Sequence, residues 1–171
     1  ARGLVAESFA GHLIAEPWEI RNGSGEPYRV FTPFWRTLKA CLPLPEPLPA
    51  PRALPPHGYS SCALAEFDLL PHIDWDTGFH SAWAPGTEGA RELLDRFVDA
   101  ALENYAAGRD RPDRPGTSRL SPHLHFGEIS PKACWRAAQA AAHHGKASDG
   151  EIEKFLAELG WREFNAAIAR T

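Results

Sequence analysis

The sequence predicts a mainly α-helical domain preceded by the close of an α/β unit, and three observations carry that prediction. A proline-rich stretch, CLPLPEPLPAPRALPPHG, divides the chain at residues 41 to 58. Beyond it, apolar residues recur at three- and four-residue spacing, and hydroxyl–proline pairs mark helix starts. Before it, a short apolar run ends in a turn and is followed by a helix with proline near its start.

Taken in order, HLIAEPWEI (12–20) reads as a short apolar strand and a turn, and VFTPFWRTLKA (30–40) as a helix with Thr32 as N-cap and Pro33 at its first position. The seven prolines of 41–58 remove donors and fix dihedrals, so neither helix nor central strand can form there, and a stiff, extended linker is expected. Residues 85–110 give the clearest helix, with Leu94, Phe97, Val98, Ala101, Leu102 and Tyr105 on one face and Gly108 as its stop. RDRPDRPG (109–116) breaks it. Two further helices start at Ser121–Pro122 and Ser130–Pro131, each a hydroxyl cap before proline. The last has Asp149 as its cap candidate, with Ile152, Phe155, Leu156 and Leu159 as its apolar stripe. Everything beyond the linker therefore reads as helical, and the division is 1–40, 41–58 and 59–171.

At 171 residues with 43% apolar content, there is material for a real core. No apolar run is long enough to span a membrane and no secretory leader is readable, so a cytoplasmic home is expected. Cys41, Cys62 and Cys134 are odd in number and far apart, unlike a disulfide framework or a zinc site. Cys134 reads as a small buried apolar residue. His123 and His125 alternate on a helix and do not share a face, so a metal site is not expected. A net charge of −4 gives no general reason to expect nucleic acid. No methionine occurs and the chain opens on Ala1, Arg2 and Gly3, so it reads as an internal piece of a longer protein.

Two stretches carry chemistry. In TSRLS (117–121), Thr117, Ser118 and Ser121 offer hydroxyls and Arg119 a charge just ahead of a helix, an arrangement suited to phosphate, while Leu120 points elsewhere. The plain alternative is that Ser121 caps its own helix and Thr117 and Ser118 satisfy a loop. In ELGWREF (158–164), Glu158 and Arg162 lie four apart on one face, with Phe155 a turn earlier and Trp161 at the flank. An exposed ion pair explains the first two equally well, and a pocket wall explains the density of charge and aromatic groups.

Tyr105, TSRLSPHLHFGEISP from 117 and ELGWREF from 158, in that order, resemble the DNA photolyase and cryptochrome family. EPWEIRNGSGEPYRVFTPFWR (16–36) is similar to the close of that family's N-terminal α/β domain. The resemblance covers nearly the whole chain. It implies that 1–40 is the end of a Rossmann-like antenna domain and 59–171 an incomplete helical FAD-binding domain. By the same resemblance, Tyr105, Thr117, Ser118, Arg119, Leu120 and Ser121 line the flavin pyrophosphate site, and Arg162, Phe155 and Glu158 also meet the cofactor. Glu158 and Trp161 face the space for a flipped-out pyrimidine dimer, where a carboxyl can bond a base edge and an indole offers a broad surface.

The implied activity is light-driven repair of cyclobutane pyrimidine dimers by electron transfer from reduced FAD, that of a deoxyribodipyrimidine photo-lyase. The alternative is a cryptochrome-like blue-light photoreceptor with the same FAD site. A third is a helical domain that binds some other phosphorylated ligand. The implied partner is DNA containing pyrimidine dimers; nothing in the sequence calls for a membrane or an obligate protein partner. A second, antenna chromophore is implied for the longer protein, of unspecified identity. Phe155 stands where some relatives carry tryptophan. The likeness fades in FNAAIART (164–171), so this chain alone is expected neither to hold FAD firmly nor to be active.

Overall fold

Gly160 sits in the middle of the longest helix, where glycine is a poor helix former, and its place explains it. A Cβ there would lie 2.6 Å from Cε3 of Trp35, so the bare backbone lets the indole lie directly against the helix. In the computed structural model, residues 3, 5–7, 9–49, 51–54, 58, 60–70 and 72–169 are described. Ala1 and Arg2, residues 50 and 55–57 of the proline-rich stretch, and the last two residues lie outside them.

Among the described residues there are seven α-helices and no β-strand. They are α1 (Phe31–Ala40), α2 (Phe79–Ala82), α3 (Thr87–Ala100), α4 (Tyr105–Gly108), α5 (Ser121–Phe126), α6 (Pro131–His143) and α7 (Asp149–Ile168), with 3₁₀ turns at Leu64–Phe67 and Leu102–Asn104. Ala1–Leu44 and Pro85–Thr171 form one compact unit, and Pro45–Ala84 a second. No helix is long and apolar enough to cross a membrane.

In the larger unit α7 packs against α1, α4 and α6, and α3 packs against α6. Phe34, Leu38, Phe97, Leu102, Trp135, Phe155, Leu156 and Leu159 lie in its single core. Trp35 Nε1 and Lys39 Nζ both donate to Glu153 Oε1, at 3.0 and 2.6 Å, and tie α1 to α7 beside the Gly160 contact. Cys134 is buried, and desolvation pushes its thiol up to about 12, as suits an inert core residue.

Of the expected N-caps, Ser130 holds while Thr32, Ser121 and Asp149 do not. Ser130 caps α6 through Ala133 N–H at 3.1 Å, as the serine–proline pair predicts. At α7 the cap is Ser148, not Asp149; its hydroxyl accepts from Glu151 N–H. Ser121 and Thr32 are inside their helices instead of capping them: α5 and α1 begin after Leu120 and Val30, and no side chain caps either. The helix predicted over 85–110 breaks at Ala101 and Asn104, both with φ −124°. The break lets both Leu102 and Tyr105 reach the core, and the Ala106 N–H exposed by it donates to Glu151 Oε2 at 2.5 Å. Gly108 ends α4 as expected.

The predicted strand over 12–20 is absent. Its apolar residues do turn inward, with Leu13, Ile14 and Ile20 buried, but among the described residues no second strand accepts its N–H groups. Instead Ile14 N–H donates to Glu163 Oε2 on α7 at 2.7 Å. The described residues of 41–58 form neither helix nor strand, as their prolines require. The wholly helical reading fails for 59–84. Its described residues hold only the 3₁₀ turn and α2, and neither buries a residue. Trp75 and Phe79 touch edge-on at 5.9 Å, and both are exposed.

Gly116 has a steric reason of its own. A Cβ there would lie 2.3 Å from the Gly108 carbonyl oxygen, so the 109–115 loop leaves and returns through a neck too narrow for a side chain.

Two outcomes follow. Gly160→Ala pushes a methyl into Trp35 and lowers unfolding free energy by about 1–3 kcal/mol in denaturant titration. Burial raises Glu163 from its ordinary value to about 7, partly offset by the N–H groups of Ile14 and Ala15 and by Arg162. The folded state therefore holds its proton more tightly than the unfolded chain does. The resulting stability is complete below the ordinary carboxylate range and is lost as pH rises toward and through the folded value. Unfolding measured across that range shows a downward slope that Glu163→Gln reduces.

Candidate functional site

α4 and the 117–121 segment meet α7 at a cavity of about 580 Å³, and the narrow neck at Gly108 and Gly116 sets their spacing. Tyr105, Thr117, Ser118, Arg119 and Ser121 line one side, and Phe155, Glu158, Leu159 and Arg162 of α7 the other. His12, Leu124 and His125 complete the wall. Two motifs far apart in sequence thus share one hollow.

The polar side begins with a turn, where Leu120 N–H donates to Ser118 Oγ at 3.4 Å. Arg119 adopts a left-handed φ of 54°, a conformation that costs a non-glycine residue on the order of 1 kcal/mol. Leu120 is 1% exposed and anchors the segment in the core, so its side chain does not line the cavity. Because α5 has only six residues and Gly127 ends it at φ 72°, its dipole is small. Hydroxyls and the Arg119 charge are the stronger features for an anion here.

The aromatic part is tightly nested. Tyr105 meets Phe155 edge-on at 5.5 Å, and both contact Phe97, at 5.5 and 4.8 Å. Tyr105 is 6% and Phe155 4% exposed, so each shows the cavity only an edge. Burial raises the Tyr105 hydroxyl above its usual range, and neighbouring Arg109 opposes that shift.

The i,i+4 ion pair that is the plain alternative for Glu158 and Arg162 does not form. Glu158 pairs with Arg109, whose guanidinium also lies over the Tyr105 ring at 5.7 Å. The hydrogen bond to Glu158 raises Arg109 above its usual value. Arg162 turns the other way: Nη1 donates to Glu163 Oε1 at 2.9 Å, and Nη2 to His12 Nε2 at 2.9 Å and to the Leu124 carbonyl at 3.4 Å. Each carboxylate has its own guanidinium.

Trp161 departs from the expectation that it faces the cavity. Its ring stacks on Phe31 of α1 at 3.8 Å and 7°, and it is absent from the cavity lining. Phe31 stacks beside Trp35 one turn away on α1, so with Gly160 against Trp35 the neighbouring indole reaches Phe31. His123 and His125 do diverge as expected; His123 is buried and bonds Glu128 at 2.5 Å, while His125 reaches the cavity. No group of three metal-ligating side chains occurs among the described residues. Sequence reasoning missed His12, Arg109 and Glu163 as site neighbours. Glu163 alone had left a signal, as a charge on a buried helix.

A sequence profile of the DNA photolyase family matches residues 1–52. The chain is 44% identical over 169 residues to a deoxyribodipyrimidine photo-lyase of Agrobacterium fabrum, covering 95% of this chain and 34% of that protein. It is 32% identical over 182 residues to Cryptochrome-1 of Arabidopsis thaliana, covering 99% of this chain and 26% of that protein. Among solved structures, a bacterial class III photolyase from Agrobacterium tumefaciens superposes with a TM-score of 0.80 at 42% identity, over 97% of this chain and 35% of that one. The chain spans about a third of the length of the photo-lyases it matches. On fold, motif order and this likeness together, the chain belongs to the DNA photolyase and cryptochrome family.

Proposed function

We propose that the protein carrying this chain is a deoxyribodipyrimidine photo-lyase, repairing cyclobutane pyrimidine dimers in cytoplasmic DNA with light and reduced FAD. The observation that carries the proposal is the single cavity shared by residues 117–121 and 155–162. Its chemistry fits FAD. Three hydroxyls and Arg119 line the same hollow as Arg162, and two guanidiniums against the one carboxylate of Glu158 in that lining suit a diphosphate. Tyr105 and Phe155 give ring edges to the same space.

In this proposal Tyr105, Thr117, Ser118, Arg119, Ser121, Phe155 and Arg162 hold the cofactor, and Leu120 supports them from the core. Reduced FAD, when bound, would supply the photoexcited electron that opens the cyclobutane ring and would take it back. Glu158 bonds the edge of a flipped-out pyrimidine. Trp161, stacked on Phe31, is assigned no contact. The allotment of 1–40 to an α/β antenna domain and 59–171 to the FAD-binding domain, and a second chromophore in the longer protein, belong to the same proposal. A cryptochrome-like photoreceptor is the second reading, favoured by the likeness to Cryptochrome-1.

Full-length protein with reduced FAD is expected to remove dimers from ultraviolet-damaged DNA in light and not in darkness. Normal flavin content without light-dependent loss selects the photoreceptor; no FAD uptake overturns both. Ser121→Ala in the full-length protein weakens FAD binding about tenfold or more, since a hydrogen bond to a charged group contributes about 1.5–3 kcal/mol. Because Ser121 caps no helix, unfolding free energy changes by less than about 0.5 kcal/mol. Equal FAD affinity in the variant removes Ser121 from the site.

A further inference from the structure

Glu163 has no part in the chemistry proposed above, yet it is 2% exposed and charged residues are almost never so buried unless paired. We propose that Glu163 is a positioning residue for the cofactor cavity: its carboxylate fixes the Arg162 guanidinium in the cavity wall and fastens that wall to the backbone at Ile14. The proposal rests on the flavin reading of the cavity and names a residue that does not line it.

The carboxylate is divided between two tasks. Oε2 accepts the Ile14 N–H at 2.7 Å, and Oε1 accepts Arg162 Nη1 at 2.9 Å. Adjacent residues on a helix point about 100° apart, so helix geometry alone does not bring 162 and 163 together. The pairing draws the guanidinium back along α7. Its other nitrogen then meets His12 and the Leu124 carbonyl, which both bound the cavity region. Of these three anchors only Glu163 carries a negative charge. An arginine has no acceptor, so His12 must offer a ring lone pair to it, and cannot supply the missing anion.

A merely structural role is a poorer account of a charge at this place. Phe164, Leu159 and Ala167 around it belong to the apolar core, and a hydrophobic residue of similar volume would avoid the desolvation cost. Holding the 12–15 segment needs only an acceptor, which a neutral amide provides as well as a carboxylate. Holding a guanidinium needs the charge. The titratable or charged groups facing Glu163 are Arg162 and, through it, the acceptor ring of His12; Cys134 near Arg162 stays a neutral thiol.

The variant that separates the two roles is Glu163→Gln, which keeps the acceptor for Ile14 and turns an amide toward Arg162. Full-length apoprotein is titrated with FAD at about pH 8, where most of the native carboxyl is ionised. The flavin absorbance is followed, and unfolding of each apoprotein is measured beside it. Glu163→Gln is expected to weaken FAD binding about tenfold, the cost of one charge-assisted bond. Apoprotein stability stays equal or rises, since a buried charge has gone. In an Arg162→Ala background the same substitution changes affinity less than about twofold, because its effect runs through the arginine. Unchanged affinity, a loss that persists without Arg162, or affinity and stability falling together each overturn the proposal, as does a Glu163→Gln apoprotein with no folding transition. Absence of FAD uptake by the unsubstituted protein overturns the flavin reading and this inference with it; uptake that Glu163→Gln leaves untouched overturns this inference alone.

Discussion

The contact of the Trp35 indole with bare backbone at Gly160 holds the rotation of α7, and the placement of the functional groups from Glu158 to Glu163 follows from it. A helix with core on several sides cannot turn without moving all of its neighbours. Once residue 160 faces α1, Trp161 falls onto Phe31, Glu158 and Arg162 fall toward the cavity, and Glu163 falls inward against the 12–15 segment. One close approach thus sorts four adjacent functional groups into three environments.

The charges then sort themselves by partner. Glu158 takes Arg109 from the loop before the 117–121 segment, and Arg162 takes Glu163 from its own helix. The cavity lining carries two guanidiniums, Arg119 and Arg162, and one carboxylate, Glu158. Such a balance favours an anionic ligand over a cationic one, although the net composition is acidic.

Most of the helical order was legible in the sequence because apolar spacing and serine–proline starts are local signals. Ser130 and α6 agree with that reading, and Gly108 ends α4 where a glycine stop was expected. Tertiary demands overrode local ones elsewhere. The 85–110 helix breaks where burying both Leu102 and Tyr105 outweighs continuous helical bonding, and the 12–20 strand gives way where a distant carboxylate accepts its N–H. The cavity residues were found through motif resemblance and the hydroxyl cluster. His12 and Arg109 were not, because no periodicity links a side chain to a partner 150 or 49 residues away in the chain.

The pinch at Gly108 and Gly116 separates two kinds of freedom in this protein. Backbone touches backbone at the base, so what hangs beyond it is mechanically isolated from what lies behind. Beyond Arg109, which pairs with Glu158, the excursion can lengthen, shorten or change composition at little entropic cost, while the distance from Tyr105 to Thr117 stays set. Evolution can therefore reshape the rest of this loop as an independent module, provided that Arg109 and both glycines remain.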